Sequence, residues 1–199
     1  NNKKLLQKHG IKALSLEGYL YPDTYFFNEG DSPEFVLNHL IKSHKNIWNE
    51  SLLNRAKALD LTQHEIVTLA SIIEGEAIYD IERPRISAVY HNRLNIGMRL
   101  QADPTIQFII PDSPRRLLNR DLKIKSPYNT YLNQGLPPGP INSPGKNSIL
   151  AALFPEKNDF LFFVASGDGY HTFTTNEKDH NRAKRKLQRL RRALKRKKK

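Results

Sequence analysis

The chain has no cysteine among its 199 residues. A disulfide framework, a thiolate metal site and a cysteine nucleophile are therefore excluded, while the compartment stays open. No apolar run approaches the roughly 18–20 residues of a membrane-spanning helix, and the start lacks the basic, apolar and small-residue succession of a secretory signal. Because the chain opens Asn1-Asn2-Lys3 rather than with methionine, the expectation is an excised piece whose targeting segment lies upstream. Several familiar motifs begin and fail. His64-Glu65-Ile66-Val67-Thr68 starts like a zincin helix, but Thr68 stands where the second histidine ligand is needed. Gly167 and Gly169 lack the third glycine of a dinucleotide fingerprint, whose place Thr172 takes. There is no phosphate loop and no Gly-x-Ser-x-Gly elbow, and the 7 histidines are scattered without ligand spacing. The expectation is a protein without metal or cofactor.

Charge of one sign is also missing from most of the chain. The total is 32 Lys plus Arg against 20 Asp plus Glu, a formal charge of +12. Residues 182–199 hold 12 of the basic residues and no acidic one, which leaves 20 against 20 in residues 1–181. A charge of +12 read globally suggests nucleic acid or an anionic membrane; confined to one end, it argues against nucleic acid as a partner. The expected organisation is a domain of catalytic size, residues 1–181, followed by a basic tail, residues 182–199. In that tail Leu187, Leu190 and Leu194 recur at i, i+3 and i+7, a narrow apolar stripe on a basic helix. Such a helix is either solvated, with a frayed Lys197–Lys199 end, or lies against anionic lipid or wall polymer.

Within the body, Leu5–Asn28 reads as extended or looped. Ser32-Pro33-Glu34 announces a helix, with serine as cap and proline in the first turn, and a second short helix covers Ser51–Ala58. Thr62-Gln63-His64-Glu65 is a capping box that opens a helix over 63–77. Another is expected over 84–95, with Ile86, Val89, Tyr90 and Leu94 on one stripe and Gly97 ending it. Met98–Phe108 suits a strand interrupted at Asp103-Pro104. Residues 110–146 carry seven prolines and form a long ordered loop. A short helix over 148–154 and a hairpin of 160–165 with 170–174 complete the chain. The fold class is α+β: one catalytic domain, its helical lobe packed on a small, largely antiparallel sheet, with a basic C-terminal helix.

One carboxylate stands out, at the end of the almost wholly apolar Leu69-Ala70-Ser71-Ile72-Ile73-Glu74-Gly75-Glu76-Ala77. Glu74 follows Ala70 by four residues and Val67 by seven, so it shares their face at a core edge. Glu76 lies about 200° further round, and the two cannot face one cleft from a regular helix. A carboxyl held among Ile and Ala has its ionised form disfavoured, which suits it to donate a proton near neutral pH, as cleavage of a glycosidic bond requires. The alternative for Glu74 is an ion pair with Arg83, Arg85 or Arg93.

A series of blocks then runs in order through the chain: LEGYLYPDTY (16–25), LASIIEGEA (69–77), ERPRISAVYHNRLNIGMRLQADPTIQF (82–108), SPYNTYLNQGLPPGPINSPGKNSILAALFP (126–155) and FLFFVASGDGYHTFTTNEKDHN (160–181). This series resembles the YceG-like family of membrane-bound endolytic murein transglycosylases. Tyr21, Gly75 and Ser143 depart from the family pattern, Gly75 standing where a charged residue is more familiar. The resemblance implies a lyase, at the extracytoplasmic face of the plasma membrane, that cuts the β-1,4 bond between N-acetylmuramic acid and N-acetylglucosamine inside peptidoglycan glycan strands. It implies Glu74 as the catalytic residue, protonating the leaving oxygen and then deprotonating the C6 hydroxyl that closes a 1,6-anhydro ring. A membrane anchor and a LysM-like lobe upstream, and peptidoglycan synthases as candidate partners, follow from the same resemblance.

An internal nucleophile removes the need for the second carboxylate that a hydrolase requires; Asp103 is the best second acid, or else an aspartate capping a turn before proline. Gln101, Thr105, Tyr128, Asn129, Thr130 and Tyr131 offer amide, hydroxyl and ring surfaces on loops for binding a sugar chain, with Glu17 and His171 as further neighbours. The readings that compete are a hydrolytic muramidase and a non-enzymatic peptidoglycan-binding protein.

Overall fold

Helix caps set the architecture. The computed structural model describes residues 2–197, and these run as α1 (Asn2–Lys8), α2 (Pro33–Ile47), α3 (Glu50–Ala58), α4 (Gln63–Glu76), α5 (Arg83–Asn95), α6 (Asp103–Ile109), α7 (Lys146–Leu153), β1 (Phe162–Ala165), β2 (His171–Thr174) and α8 (Glu177–Lys197). Ser32 accepts from the Phe35 amide at the start of α2, and Asn49 accepts from Leu52 at the start of α3. The capping box of α4 is complete: Thr62 accepts from the Glu65 amide at 3.2 Å and Glu65 from the Thr62 amide at 2.8 Å. The residue after the cap of α5, Gly97, takes φ +66 and so ends that helix where a side chain would be strained.

Every residue of α4 from Ile66 to Ile73 is buried. A helix with no exposed face belongs at the centre, and α3, α5, α6 and α7 surround it. Ile66, Leu69, Ile72 and Ile73 meet Ile86 and Tyr90 of α5 and Ile149 and Leu153 of α7 in one core. Burial of each large aliphatic side chain contributes about 1.5–3 kcal/mol, so α4 is a rigid platform for whatever its last turn carries. Leu5, Leu6, Leu16 and Ile41 form a satellite that seats the N-terminal segment on α2. The sheet is the two-stranded antiparallel hairpin β1–β2, with Phe163 opposite Phe173, lying between α5 and α8. The class is α+β, as expected.

Three local expectations change. The first segment is not wholly looped, since α1 occupies its start. Residues 98–108 do not form a strand: Gln101 has φ +49, its amide is bound to the Thr130 carbonyl, and Asp103-Pro104 open α6 instead of interrupting a strand. The C-terminal helix is not a free appendage. It begins at Glu177, runs unbroken through position 182, and packs on both strands with Leu187 only 8% exposed. The side chain of Leu194 and the end at Lys198 and Lys199 lie outside the described residues. No helix among the described residues is long and apolar enough to cross a membrane.

The long loop of residues 110–145 contains one short 3-10 turn, Asp121–Lys123, and is otherwise held by side chains. Buried Asn129 donates to the carbonyls of Leu122 and Ile124 at 3.1 and 2.8 Å and accepts from the Tyr131 amide at 2.9 Å. Further along, Ser71 of α4 accepts from the Ile141 amide, and Asn142 donates back to the Ser71 carbonyl. These bonds bring the loop over the end of α4.

Candidate active site

The two glutamates at the end of α4 point into different surroundings. Glu74 accepts from Arg83 Nη2 at 3.1 Å and from the Gly145 amide at 3.0 Å. Arg83 is itself held by Asp80 and Ser148. The ion-pair alternative foreseen for Glu74 is therefore the observed one, with Arg83 as partner. Glu76, turned to the other side, accepts from the Tyr90 hydroxyl at 2.8 Å. Burial pushes its pKa up to about 7; the Tyr90 hydrogen bond opposes that shift, the Asp103 charge adds to it and Arg93 opposes it.

Glu76 stands where two hollows meet. One, of about 540 Å³, is lined by Glu76, Gln101, Asp103, Tyr131 and His171, with one face of α8 opposite. The other, of about 430 Å³, shares Glu76 and Asp103 and continues past Gln107, Phe108 and Asn142. An elongated molecule can thus lie across the carboxylate pair with a part in each hollow. Asp103, the first residue of α6, accepts from the Tyr131 hydroxyl at 2.5 Å. Its helix passes close to position 75, where a Cβ would lie 2.7 Å from Pro104 Cβ. The departure from the family pattern at Gly75 thus goes with a close approach of α6 to α4.

Two buried groups fix the walls. Arg93 donates to the carbonyls of Leu161 and Leu100 at 2.7 and 2.5 Å and lies over the Phe162 ring, tying α5 to the hairpin and to the segment before α6. Glu82 accepts from the His171 amide and pairs with its Nδ1, both at 3.0 Å, which anchors β2 at the rim.

The candidates read from the sequence divide accordingly. Gln101, Asp103, Tyr131 and His171 line the first hollow. Thr105, Asn129 and Thr130 are buried and satisfied internally: Thr105 donates to the Ala102 carbonyl, and Thr130 accepts from the Ala102 amide. Their hydroxyl and amide groups are used within the protein, and none of the three lines either hollow. Tyr128 packs on Phe108 at 4.9 Å, with the Glu17 charge near its hydroxyl, and lines neither hollow. Sequence reasoning missed Tyr90, which it placed on a core stripe, and the α8 residues His180, Asn181 and Lys184. The hairpin was expected and Lys184 was read on the basic helix, but not the packing of that helix on the hairpin, which turns this face inward. Among the described residues no three His, Asp or Glu side chains converge as metal ligands.

Comparison with known proteins identifies the family of the chain. The model of the YceG-like family matches residues 1–186. A Bacillus subtilis (strain 168) protein named endolytic murein transglycosylase is 44% identical over 172 residues, covering 86% of this chain and 48% of that protein. One of the same name from Streptococcus pneumoniae serotype 2 is 34% identical over 174 residues, covering 84% of this chain and 31% of that protein. The chain thus spans about half or less of the curated relatives it matches. A crystal structure of a yceG-like protein from Listeria monocytogenes superposes with a TM-score of 0.81 at 35% identity, over 90% of this chain and 62% of that one. A motif series, an α+β body and a cleft at the end of its buried helix all point the same way, and the chain belongs to the YceG-like family.

Proposed function

We propose that this chain is the catalytic part of an endolytic murein transglycosylase, and that Glu76 rather than Glu74 is its proton donor. The observation that carries this reading is the position of Glu76, a carboxyl with its pKa near 7 at the junction of two hollows. A group half protonated at neutral pH both gives and takes a proton efficiently. Glu74 is held as the partner of Arg83 and as acceptor for Gly145, so its place is to fix the end of α4 against the loop.

In the proposed reaction the protonated Glu76 gives its proton to the glycosidic oxygen as the bond from C1 of the muramoyl residue breaks. The C6 hydroxyl of the same residue attacks C1, and its proton passes to the Glu76 carboxylate. Glu76 ends as it began, no water enters, and the new end is a 1,6-anhydro sugar. Burial keeps the proton on Glu76 near neutral pH, the Asp103 charge adds to that effect, and Tyr131 orients Asp103.

Asp103 also supports a second reading, a muramidase in which it serves as the second carboxylate. Product masses decide between them: anhydro ends support the lyase, hydrated reducing ends the hydrolase. Glu76→Gln is expected to lower cleavage about 10²–10⁴-fold with the fold intact. Glu74→Gln is expected to retain cleavage while losing about 1–3 kcal/mol of stability, because Arg83 is left with less compensation. Loss of cleavage in Glu74→Gln alone would return the role to Glu74. Asp103→Asn preserves anhydro products under the lyase reading and abolishes cleavage under the hydrolase reading.

The proposed setting is the extracytoplasmic face of the plasma membrane, where nascent strands emerge and the synthases that extend them are the proposed partners. An apolar hollow between the hairpin and the outer face of α8, containing Leu187 and Leu190 and rimmed by Arg182, Lys186 and Arg189, supports contact with an anionic lipid surface.

A further inference from the structure

The basic charge of α8 is divided between two faces. Lys184 and Arg191 face the Glu76 cleft beside Glu177, His180 and Asn181. Arg182, Lys186 and Arg189 face the apolar hollow on the other side of the hairpin. At about 100° per residue the two sets are centred roughly half a turn apart, with Leu187 between them. Part of the charge that composition assigned to a tail is therefore inside the substrate cleft. Neither Lys184 nor Arg191 has an ion-pair partner among the described residues; the ion pair on this helix joins Arg182 to Asp179.

The cleft is polar in a directed sense. Glu76 and Asp103 lie against the body, and the two cations lie along the opposite wall, seven residues or about 10 Å apart on the helix axis. A compact phosphate calls for donors that converge on it, whereas two cations held apart on one helix face suit single charges repeated along an extended molecule. The sugar rings and glycosidic bonds of a murein strand are uncharged; its negative charges are carboxylates carried as side groups, on the lactyl ether of muramic acid or on the peptides attached there.

The geometry points to Lys184 and Arg191 as a carboxylate-binding edge of the cleft, which grips the side groups of the strand while Glu76 meets the uncharged bond. This inference rests on the reading of the cleft as a glycan-strand site. Both cations are exposed, so each contributes modestly and in a salt-dependent way. The edge sets affinity and register along the strand, and leaves the proton transfer itself alone.

The test is binding of soluble, fluorescently labelled strands by the full chain in the Glu76→Gln background, so that strands stay intact. Three strands are used: peptide-bearing, peptide-free with free lactyl carboxylates, and peptide-free with those carboxylates converted to neutral amides. The K184Q/R191Q double variant is expected to raise Kd about fivefold or more on a carboxylate strand at low salt and to leave the amide strand unchanged. A loss confined to peptide-bearing strands assigns the peptide carboxylate; a loss confined to peptide-free acid strands assigns the lactyl group. K42Q/K57Q, which removes the same charge from exposed positions on α2 and α3, is expected to change no Kd. Equal affinity for all three strands, or an equal loss on the amide strand, overturns the inference. Cleavage is read separately with Glu76 restored: carboxylate-selective binding without any cleavage would strike the lyase reading and leave the binding edge standing.

Discussion

Glu74 and Glu76 are the same side chain two positions apart, and their surroundings give them different chemistry. The 200° between them follows from helix geometry and was legible in the sequence. Which of them meets the cleft was not, because Arg83, Gly145 and Ser148, the groups that tie Glu74 down directly or through Arg83, come from outside α4 and up to 74 residues away. The raised pKa of Glu76 has a consequence for stability. A carboxyl whose folded pKa exceeds its unfolded value binds more protons folded than unfolded, so stability falls as pH rises from about 4.5 through about 7. Glu76→Gln removes that cost. Thermal melts are expected to show the variant more stable than the parent by about 3 kcal/mol at pH 8, with the gap closing only below about pH 4. A gap independent of pH would mean that the carboxyl is not desolvated. Cleavage by the parent is expected to decline above pH 7 as the donor ionises.

Among the elements, α4 and α5 were the most legible, since their caps and apolar spacing are local signals. The segment before α6 was misread because alternation of residue types resembled a strand, while Gln101 takes a left-handed backbone and Asp103-Pro104 starts a helix turn. For α8 the pattern was seen and its setting was not: the hairpin was expected, but not that α8 would dock on it and bury Leu187. Leu187→Ala is therefore expected to cost about 2–3 kcal/mol and to lower the melting temperature by roughly 5–10 °C. Leu190→Ala, at a position 41% exposed, should cost well under half of that. Equal, small effects at both would indicate a helix resting only loosely on the sheet. Deleting residues 182–199 is expected to impair both stability and cleavage, since Lys184 and Leu187 go with it.

For the molecule as a whole, the +12 charge resolves into a neutral body and one helix whose cations lie on two faces. Neutralising Arg182, Lys186 and Arg189 together is expected to weaken binding to anionic vesicles at least tenfold at low salt, at about 1 kcal/mol per basic residue near such a surface. The parent should lose that binding in 1 M salt, where charges are screened within about 3 Å. Unchanged vesicle binding would place the membrane contact elsewhere. An α-helix with its side chains is about 10–12 Å across, and α8 has the cleft on one side and the apolar hollow on the other. With lipid under one face and a strand against the other, the thickness of this single helix becomes a spacer, and every cut falls at the same height above the bilayer.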